Sequence, residues 1–171
     1  MNRISLWSTK RSAWLLLFSL SLSLEIAALV FQHGFGFEPC VMCIYQRNAL
    51  WGIVLASTIV LISNTPWTRL FGYGLWLLSS VWGALLSWEH IDILTASNPF
   101  YIACDAMPNF PAFLPLHQWL PSMFAAPGLC NDDSWQLLGF TMPHWLLGIF
   151  SLFALTCVIV VVSRLMDARK L

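Results

Sequence analysis

Four long apolar runs, separated by polar or proline-containing connections, dominate the pattern of this chain. The runs cover residues 13–31, 41–62, 70–88 and 145–162. Each is close to the roughly 20 residues that an α-helix needs to cross a hydrocarbon core about 30 Å thick. The pattern therefore predicts an all-α membrane protein in which the whole chain, residues 1–171, forms a single four-helix transmembrane bundle.

Composition and charge support this prediction and indicate an orientation. The chain is 58% hydrophobic and only 9% charged, and its formal net charge is zero, so no overall field would attract nucleic acid. Every Lys and Arg except Arg47 lies at a chain terminus or at Arg69, in the second connection. Because cytoplasmic connections are enriched in Lys and Arg, both termini should be cytoplasmic and loops 32–40 and 89–144 should lie outside.

The long loop 89–144 contains a proline-punctuated apolar stretch, residues 110–124. A short helix over residues 116–124 would bury side chains such as Trp119 and Leu120 in the membrane interface and hold the loop near the bilayer. A contact with a groove on a partner protein would account for the same residues.

The cysteines point to chemistry on the outer side. Cys40 and Cys43 stand at the outer end of the second run, and Cys104 and Cys130 lie in the long loop, so two pairs are plausible. A disulfide in the short Cys40–Cys43 ring would contribute only about 2 kcal/mol, against about 3 to 4 kcal/mol for the longer ring. We therefore favour a redox function for the first pair, while redox and structural functions remain open for the second.

The motif around the first pair favours a reactive thiol. If Pro39 occupies the first turn of a helix, then Cys40, Cys43 and Arg47 share one face. A helix N-terminus and a nearby guanidinium both favour the thiolate. Arg47 would stabilise that thiolate or polarise a carbonyl oxygen of an electron acceptor, although an arginine at this depth can also simply reach the lipid headgroups.

Two other uses of a Cys-x-x-Cys pair fit less well. Covalent haem attachment needs a histidine directly after the second cysteine, where Ile44 stands. A zinc site would need four converging ligands, which Cys104 and Cys130 could complete, but Arg47 beside the pair disfavours a divalent cation. We therefore expect no metal.

Three further residues in or beside the apolar runs can be interpreted: Glu25, His90 and Cys157. Glu25 interrupts the first run, and we favour a helix-packing role for it in protonated or hydrogen-bonded form. His90, at the outer end of the third run, should reach the depth of Cys40 and act as a donor or proton relay toward a bound acceptor. Cys157 is expected to be a small buried apolar group.

These residues, together with several short motifs, match the sequence pattern of one known protein family. The matching positions are Ala13-Trp14-Leu15-Leu16, Glu25, Phe31-Gln32-His33, Pro39-Cys40-Val41-x-Cys43-Ile44-Tyr45-x-Arg47, Glu89-His90, Cys104-Asp105, Phe113-Leu114-Pro115-Leu116 and Met142-Pro143-x-Trp145-Leu146-Leu147-Gly148. With them, the chain closely resembles the bacterial disulfide bond formation protein B (DsbB) family over nearly its whole length. That family consists of inner-membrane oxidases that regenerate the periplasmic oxidant DsbA and pass electrons to quinone.

The resemblance implies a thiol–disulfide relay in the periplasmic loops. A reduced DsbA-like partner would attack Cys104 of a Cys104–Cys130 disulfide and form a mixed disulfide. Cys130, thereby released, would attack Cys40 and free Cys43 as a thiolate.

The same resemblance implies the electron acceptor and the location. Cys43 would face a non-covalently bound ubiquinone or menaquinone, with Arg47 stabilising charge and His90 lining the same pocket. The protein would lie in the bacterial inner membrane with its active site on the periplasmic side.

Two alternatives to this function remain. A non-catalytic four-span membrane protein with two structural disulfides would contain the same cysteines. A quinone-linked enzyme of the vitamin K epoxide reductase type also has a four-helix bundle, but its Cys-x-x-Cys motif comes late in the bundle, whereas here it comes first.

Overall fold

The computed structural model describes residues 3–96, 104–105, 107–130 and 135–168. The elements in chain order are α1 (Arg3–Ser8), α2 (Arg11–Gly34), α3 (Val41–Ile62), α4 (Pro66–Thr95), α5 (Leu116–Trp119), α6 (Pro121–Phe124), β1 (Gln136–Leu137), β2 (Phe140–Thr141) and α7 (Met142–Ala168). The two short strands pair antiparallel, with Gln136 opposite Thr141. This hairpin, which the sequence pattern does not predict, leads directly into α7.

The predicted helical bundle is confirmed, and its helices are longer than their apolar runs. α3 has the predicted bounds, whereas α2, α4 and α7 each extend beyond them at both ends, because polar end turns continue a helix without contributing to its apolar pattern. α3 packs between α2 and α4, and α4 also packs against α7.

Three helices in the described part of the chain are long and apolar enough to cross a membrane: Arg11–Gly34, Pro66–Thr95 and Met142–Met166. α3 is not among them, because Gln46 and Arg47 in its early turns lower its hydropathy. Both of these side chains are buried between neighbouring helices. The protein is therefore a multi-pass membrane protein, and the crossing of the membrane by α3 stays a prediction.

The interior of the bundle is close-packed, and its outside is apolar. Ile53 and Phe150 are fully buried, and a Cβ added to Gly83 of α4 would lie 2.4 Å from the Phe150 ring of α7. Leu78 and Leu152 are, by contrast, more than 60% exposed. Large apolar side chains on the outer surface are what a bilayer, but not water, accommodates.

In the long loop, the predicted helix over residues 116–124 is wrong as a single element. It is two separate turns, α5 and α6, which meet at Leu120. Pro121 lacks a backbone N–H and disfavours a helical conformation at the preceding residue, so a continuous helix cannot form there. Trp119 and Leu120 are exposed, whereas Phe124 is buried.

The two ends of the chain meet at one end of the bundle. α1 contacts α7, where an amine of the Arg164 guanidinium (Nη1) lies 3.4 Å from the backbone oxygen of Ser5. Arg169 and Lys170, which contribute to the predicted orientation, lie outside the described residues.

Candidate redox site

Cys40 is the N-cap of α3, so the prediction that Pro39 lies in the first helical turn is wrong. The backbone of Cys40 is extended, with φ −84° and ψ 173°, and Pro39 precedes it outside the helix. This conformation turns the Cys40 sulfur back over the first turn, where it accepts a hydrogen bond from the backbone N–H of Cys43 at 3.3 Å. Cys40 thus occupies the place of an ordinary N-cap oxygen, at the positive end of the helix dipole.

Cys40 and Cys43 are free cysteines, and their sulfur atoms lie 2.9 Å apart. The hydrogen bond from the Cys43 thiol is the largest cause that lowers the pKa of Cys40, to about 5. The nearby His90, whose Nε2 lies 3.7 Å from the sulfur, and the backbone N–H of Cys43 act in the same direction, while burial opposes them. When both cysteines are reduced, the negative charge therefore rests on Cys40 and the proton on Cys43.

The second cysteine pair lies directly against the first. Cys104 and Cys130 form a disulfide, with Cα atoms 6.1 Å apart. Cys130 is buried in one apolar cluster with Cys40, and Cys104 packs against that cluster. His90 joins the two pairs, because its Nε2 also lies 3.2 Å from the backbone oxygen of Cys130. Since a carbonyl oxygen can only accept, this contact requires a proton on Nε2.

Gly128 fixes the long loop at this place. Its backbone N–H donates to the Pro39 oxygen at 3.1 Å, and a Cβ at Gly128 would lie 2.2 Å from the backbone oxygen of Glu38. The two backbone segments are therefore closer than any residue with a side chain would allow. This approach holds Cys130, two residues later, beside Cys40.

Arg47 is buried together with a compensating charge. Its Nε donates to a carboxylate oxygen of Glu25 at 2.9 Å, and its Nη1 donates to the side-chain oxygen of Gln32 at 2.7 Å. The amide nitrogen of Gln32 in turn donates to the backbone oxygen of Ser122 in the long loop. Glu25 therefore has the hydrogen-bonded helix-packing role that we expected, and its partner is Arg47.

An apolar cavity of about 210 Å³ opens beside Cys43 and Arg47. Helices α2, α3 and α7 form its walls, largely with side chains such as Leu24, Leu50 and Ile149. The second guanidinium amine of Arg47, Nη2, is buried and has no hydrogen-bond partner among the described residues. The cavity thus combines a largely apolar wall with the side chains of Arg47 and Cys43, a cation and a thiol.

His90 lies on the other side of the cysteine pair. It lines a separate cavity of about 60 Å³ together with Cys40 and Cys43, and it is absent from the wall of the larger one. The structure thus brings Cys43 and Arg47 together at the first cavity, and Cys40 and His90 at the second. Cys157 is buried in the main core, where its sulfur lies 3.6 Å from the backbone oxygen of Tyr73, far along the bundle from this site.

From the sequence alone, we assigned no function to three contributors, although Gln32 is one of the positions that match the family. Gln32 and Gln46 are polar residues of predicted spans or their ends, and Gly128 is one glycine among nine. Gln46 could have been singled out as a polar residue next to Arg47 within an apolar run. In the structure, its amide nitrogen donates to the hydroxyl of Ser87 in α4. The role of Gly128 depends wholly on a contact with a distant segment.

The arrangement can exchange disulfides, since a free cysteine pair with a thiolate at Cys40 lies against a disulfide in the same cluster. Comparison with known proteins agrees with this chemistry. The family model of disulfide bond formation protein DsbB matches residues 10–160. The chain is 44% identical to disulfide bond formation protein B of Pseudoalteromonas atlantica, over all of both chains. It is 47% identical to that of Pseudoalteromonas translucida, again over all of both chains. With the protein of Haemophilus influenzae (strain Rd), it shares 41% identity over 96% of this chain and 93% of the relative. By its sequence, its membrane helices and its paired cysteines, the chain belongs to the DsbB family of membrane disulfide oxidoreductases.

Proposed function

We propose that this protein is a quinone-dependent thiol oxidase that reoxidises a periplasmic, DsbA-like dithiol protein. The observation that carries the proposal is the continuity of the site from the loop disulfide to the cavity. Cys130 and Cys40 share one buried cluster, Cys40 and Cys43 are in contact, and Cys43 lines the cavity that Arg47 also lines. Electrons entering at Cys104 would thus have an uninterrupted path to that cavity.

In the first exchange, a thiolate of the reduced partner attacks the sulfur of Cys104. The Cys104–Cys130 bond breaks, a mixed disulfide with the partner forms, and Cys130 leaves as a thiolate. Cys104 is the less buried of the two cysteines, so it is the accessible sulfur of this disulfide. Attack there leaves Cys130 at the position where it faces the other pair.

In the second exchange, the Cys130 thiolate attacks Cys40 of an oxidised Cys40–Cys43 pair and releases Cys43 as a thiolate. The second thiol of the partner then resolves the mixed disulfide, and the partner leaves oxidised. Cys104 next attacks Cys130, which restores the loop disulfide and leaves Cys40 and Cys43 reduced. The loop disulfide and the free cysteine pair of the structure are compatible with this last state.

The larger cavity fits a quinone. An engineered cavity of about 150 Å³ admits a benzene ring, so about 210 Å³ accommodates a substituted six-membered ring. Arg47 lines this cavity and would donate to a ring carbonyl oxygen, and its pairing with Glu25 holds the guanidinium in place. As the Cys40–Cys43 disulfide re-forms from one thiolate and one thiol, it would release two electrons and one proton; ubiquinone or menaquinone, when bound, would supply the two-electron acceptor, and the second proton would come from outside the pair.

His90 would act mainly on Cys40. Its Nε2–H lies near both the Cys40 sulfur and the Cys130 carbonyl oxygen. It would therefore stabilise negative charge on Cys40 and keep the sulfur atoms of Cys40 and Cys130 close during exchange. Contact of His90 with the quinone, which the resemblance implies, would require the ring to reach past Cys43 into the smaller cavity.

The charge pattern supports the orientation in the bacterial inner membrane. The chain ends, which meet at one end of the bundle, carry most of the cations and would face the cytoplasm. α3 would then also cross the membrane, which brings the number of spans to four. Its polar first turns would be shielded from lipid by α2, α4 and the long loop. The cysteines would lie at the periplasmic surface, where the partner reaches Cys104.

The experiment that tests the proposal measures reduction of a ubiquinone analogue by the purified protein, with a reduced thioredoxin-fold partner as electron donor. We expect multiple turnovers, loss of turnover in Cys43→Ser, and normal turnover in the matched variant Cys157→Ala. Unchanged turnover in Cys43→Ser, or no turnover by the native protein, would favour the alternative of two structural disulfides.

A further inference from the structure

We propose that the reduced site binds a thiophilic divalent cation such as Zn²⁺ through Cys40, Cys43 and His90, and that the bound ion blocks reoxidation. The sulfur atoms of the two cysteines and a ring nitrogen of His90 all lie within 4.8 Å of one another. Two thiolates and an imidazole suit Zn²⁺ or Cd²⁺, but not Mg²⁺ or Ca²⁺. The blocking of reoxidation rests on the proposed function, whereas binding of the ion does not.

The geometry needs only a small adjustment to hold the ion. With Zn–S and Zn–N distances of about 2.3 and 2.1 Å, tetrahedral ligands lie about 3.6 to 3.8 Å apart. The Cys40 sulfur and His90 Nε2 are already 3.7 Å apart, and the two sulfurs must separate from 2.9 Å. Cysteines spaced as Cys-x-x-Cys commonly chelate one zinc ion, so this separation is within the reach of the motif.

A fourth position is available at the same place. The cavity of about 60 Å³ is lined by all three proposed ligands, and a water molecule occupies about 30 Å³ in the liquid. Three protein ligands and one water form a common zinc coordination. The loop cysteines are not needed for it, and in the disulfide they are not free to bind.

The charge of the site also permits a divalent cation. From the sequence, Arg47 argues against one, because a guanidinium near the pair would repel it. In the structure, Glu25 balances that charge through a contact of 2.9 Å. The two thiolates then neutralise the divalent ion, so the buried complex carries no net charge, which is the condition for burying ionised groups at an acceptable cost.

Metal binding would compete with the contact between the two cysteine pairs. His90 now uses Nε2–H to reach the Cys130 oxygen, and a metal requires that nitrogen to be deprotonated. The proton would move to Nδ1, which is buried and has no hydrogen-bond partner among the described residues. The bound ion would therefore hold both thiolates of the pair and also release His90 from the loop.

The binding test uses full-length protein with Cys104→Ser and Cys130→Ser, so that reduction exposes only the Cys40–Cys43 pair and the distant Cys157. Co²⁺ serves as a spectroscopic probe of tetrahedral thiolate coordination, and Zn²⁺ is titrated against a chromophoric chelator. We expect one ion per reduced chain, thiolate-to-cobalt absorption, and no binding after the Cys40–Cys43 disulfide is formed. This comparison of the reduced and oxidised forms needs no variant of the ligands.

Variants then identify the ligands. His90→Ala should weaken Zn²⁺ binding at least tenfold and change the cobalt spectrum, while His33→Ala and Cys157→Ala should leave both unchanged. Equal binding by the reduced and oxidised forms, or unchanged binding in His90→Ala, would overturn the proposed site.

A separate measurement concerns the functional consequence. Zn²⁺ added to the native protein should inhibit quinone reduction, and a chelator should restore it. Binding without inhibition would refute the block while leaving the site, and inactivity without any added metal would contradict the proposed function alone.

Discussion

Replacing Gly128 with alanine should separate the two cysteine pairs without unfolding the bundle. The added Cβ would lie 2.2 Å from the backbone oxygen of Glu38, 2.8 Å from its carbonyl carbon and 3.1 Å from that of Pro39. All three atoms belong to backbone, so no side chain can rotate away. The loop must therefore move back from the segment that precedes α3.

The magnitude follows from the contacts that this movement removes. The hydrogen bond from Gly128 to Pro39 is worth about 1 kcal/mol, and the steric overlap costs about 1 to 3 kcal/mol. Together they disfavour the docked loop by about 2 to 4 kcal/mol. At 1.4 kcal/mol per factor of ten, attack of Cys130 on Cys40 should slow by about 30-fold to several hundredfold. The main core of the bundle lies elsewhere and should keep its thermal stability.

Two measurements on the Gly128→Ala protein separate docking from chemistry. Steady-state quinone reduction should fall by the factor given above, while the mixed disulfide between the partner and Cys104 should still form at the native rate. Gly74→Ala is the matched control, because no atom of another described segment lies within 4 Å of a Cβ at that position. Turnover of Gly128→Ala within twofold of the native protein would refute the idea that this contact positions Cys130.

The remaining predictions concern the charges of the site. Arg47→Ala should raise the KM for the quinone analogue about 10- to 100-fold, because a hydrogen bond to a charged donor is worth about 1.5 to 3 kcal/mol; mixed-disulfide trapping at Cys104 should not change, and an unchanged KM would contradict the assignment. Glu25→Gln, which removes the charge while nearly keeping the volume of the side chain, should lower the Tm, since leaving the buried Arg47 uncompensated costs about 3 to 5 kcal/mol; an unchanged Tm would argue against the ion pair. Alkylation of Cys40 in the reduced protein should titrate near pH 5, and a midpoint near pH 9 would contradict the geometry. Because folding lowers the pKa of Cys40, the unfolded chain binds more protons between about pH 5 and 9, so the reduced protein should gain stability as pH rises through this range and lose it as pH falls through 5.

Helix positions and the Cys40–Cys43 pair were predictable because their signals are local, whereas the pairing of Cys104 with Cys130 came from the family resemblance. The second apolar run has the bounds of α3, and the Cys104–Cys130 disulfide implied by the family resemblance is present. The wrong position of Pro39 also has a local cause. A proline is compatible with a first helical turn, so Pro39 could have begun α3. With Cys40 as the N-cap instead, the Cys40 sulfur accepts a hydrogen bond from the backbone N–H of Cys43.

By itself, the sequence determined that several helices cross a membrane and that a reactive cysteine pair stands at the start of one of them. Length, hydropathy and motif spacing are properties of consecutive residues, so they can be read without the fold. Only the tertiary structure decided which distant groups meet there: Glu25 pairs with Arg47, Gly128 touches the segment before α3, and His90 lies between Cys40 and Cys130. These contacts depend on how each helix is rotated and how closely the backbones pack, and the apolar pattern along a membrane helix hardly specifies either.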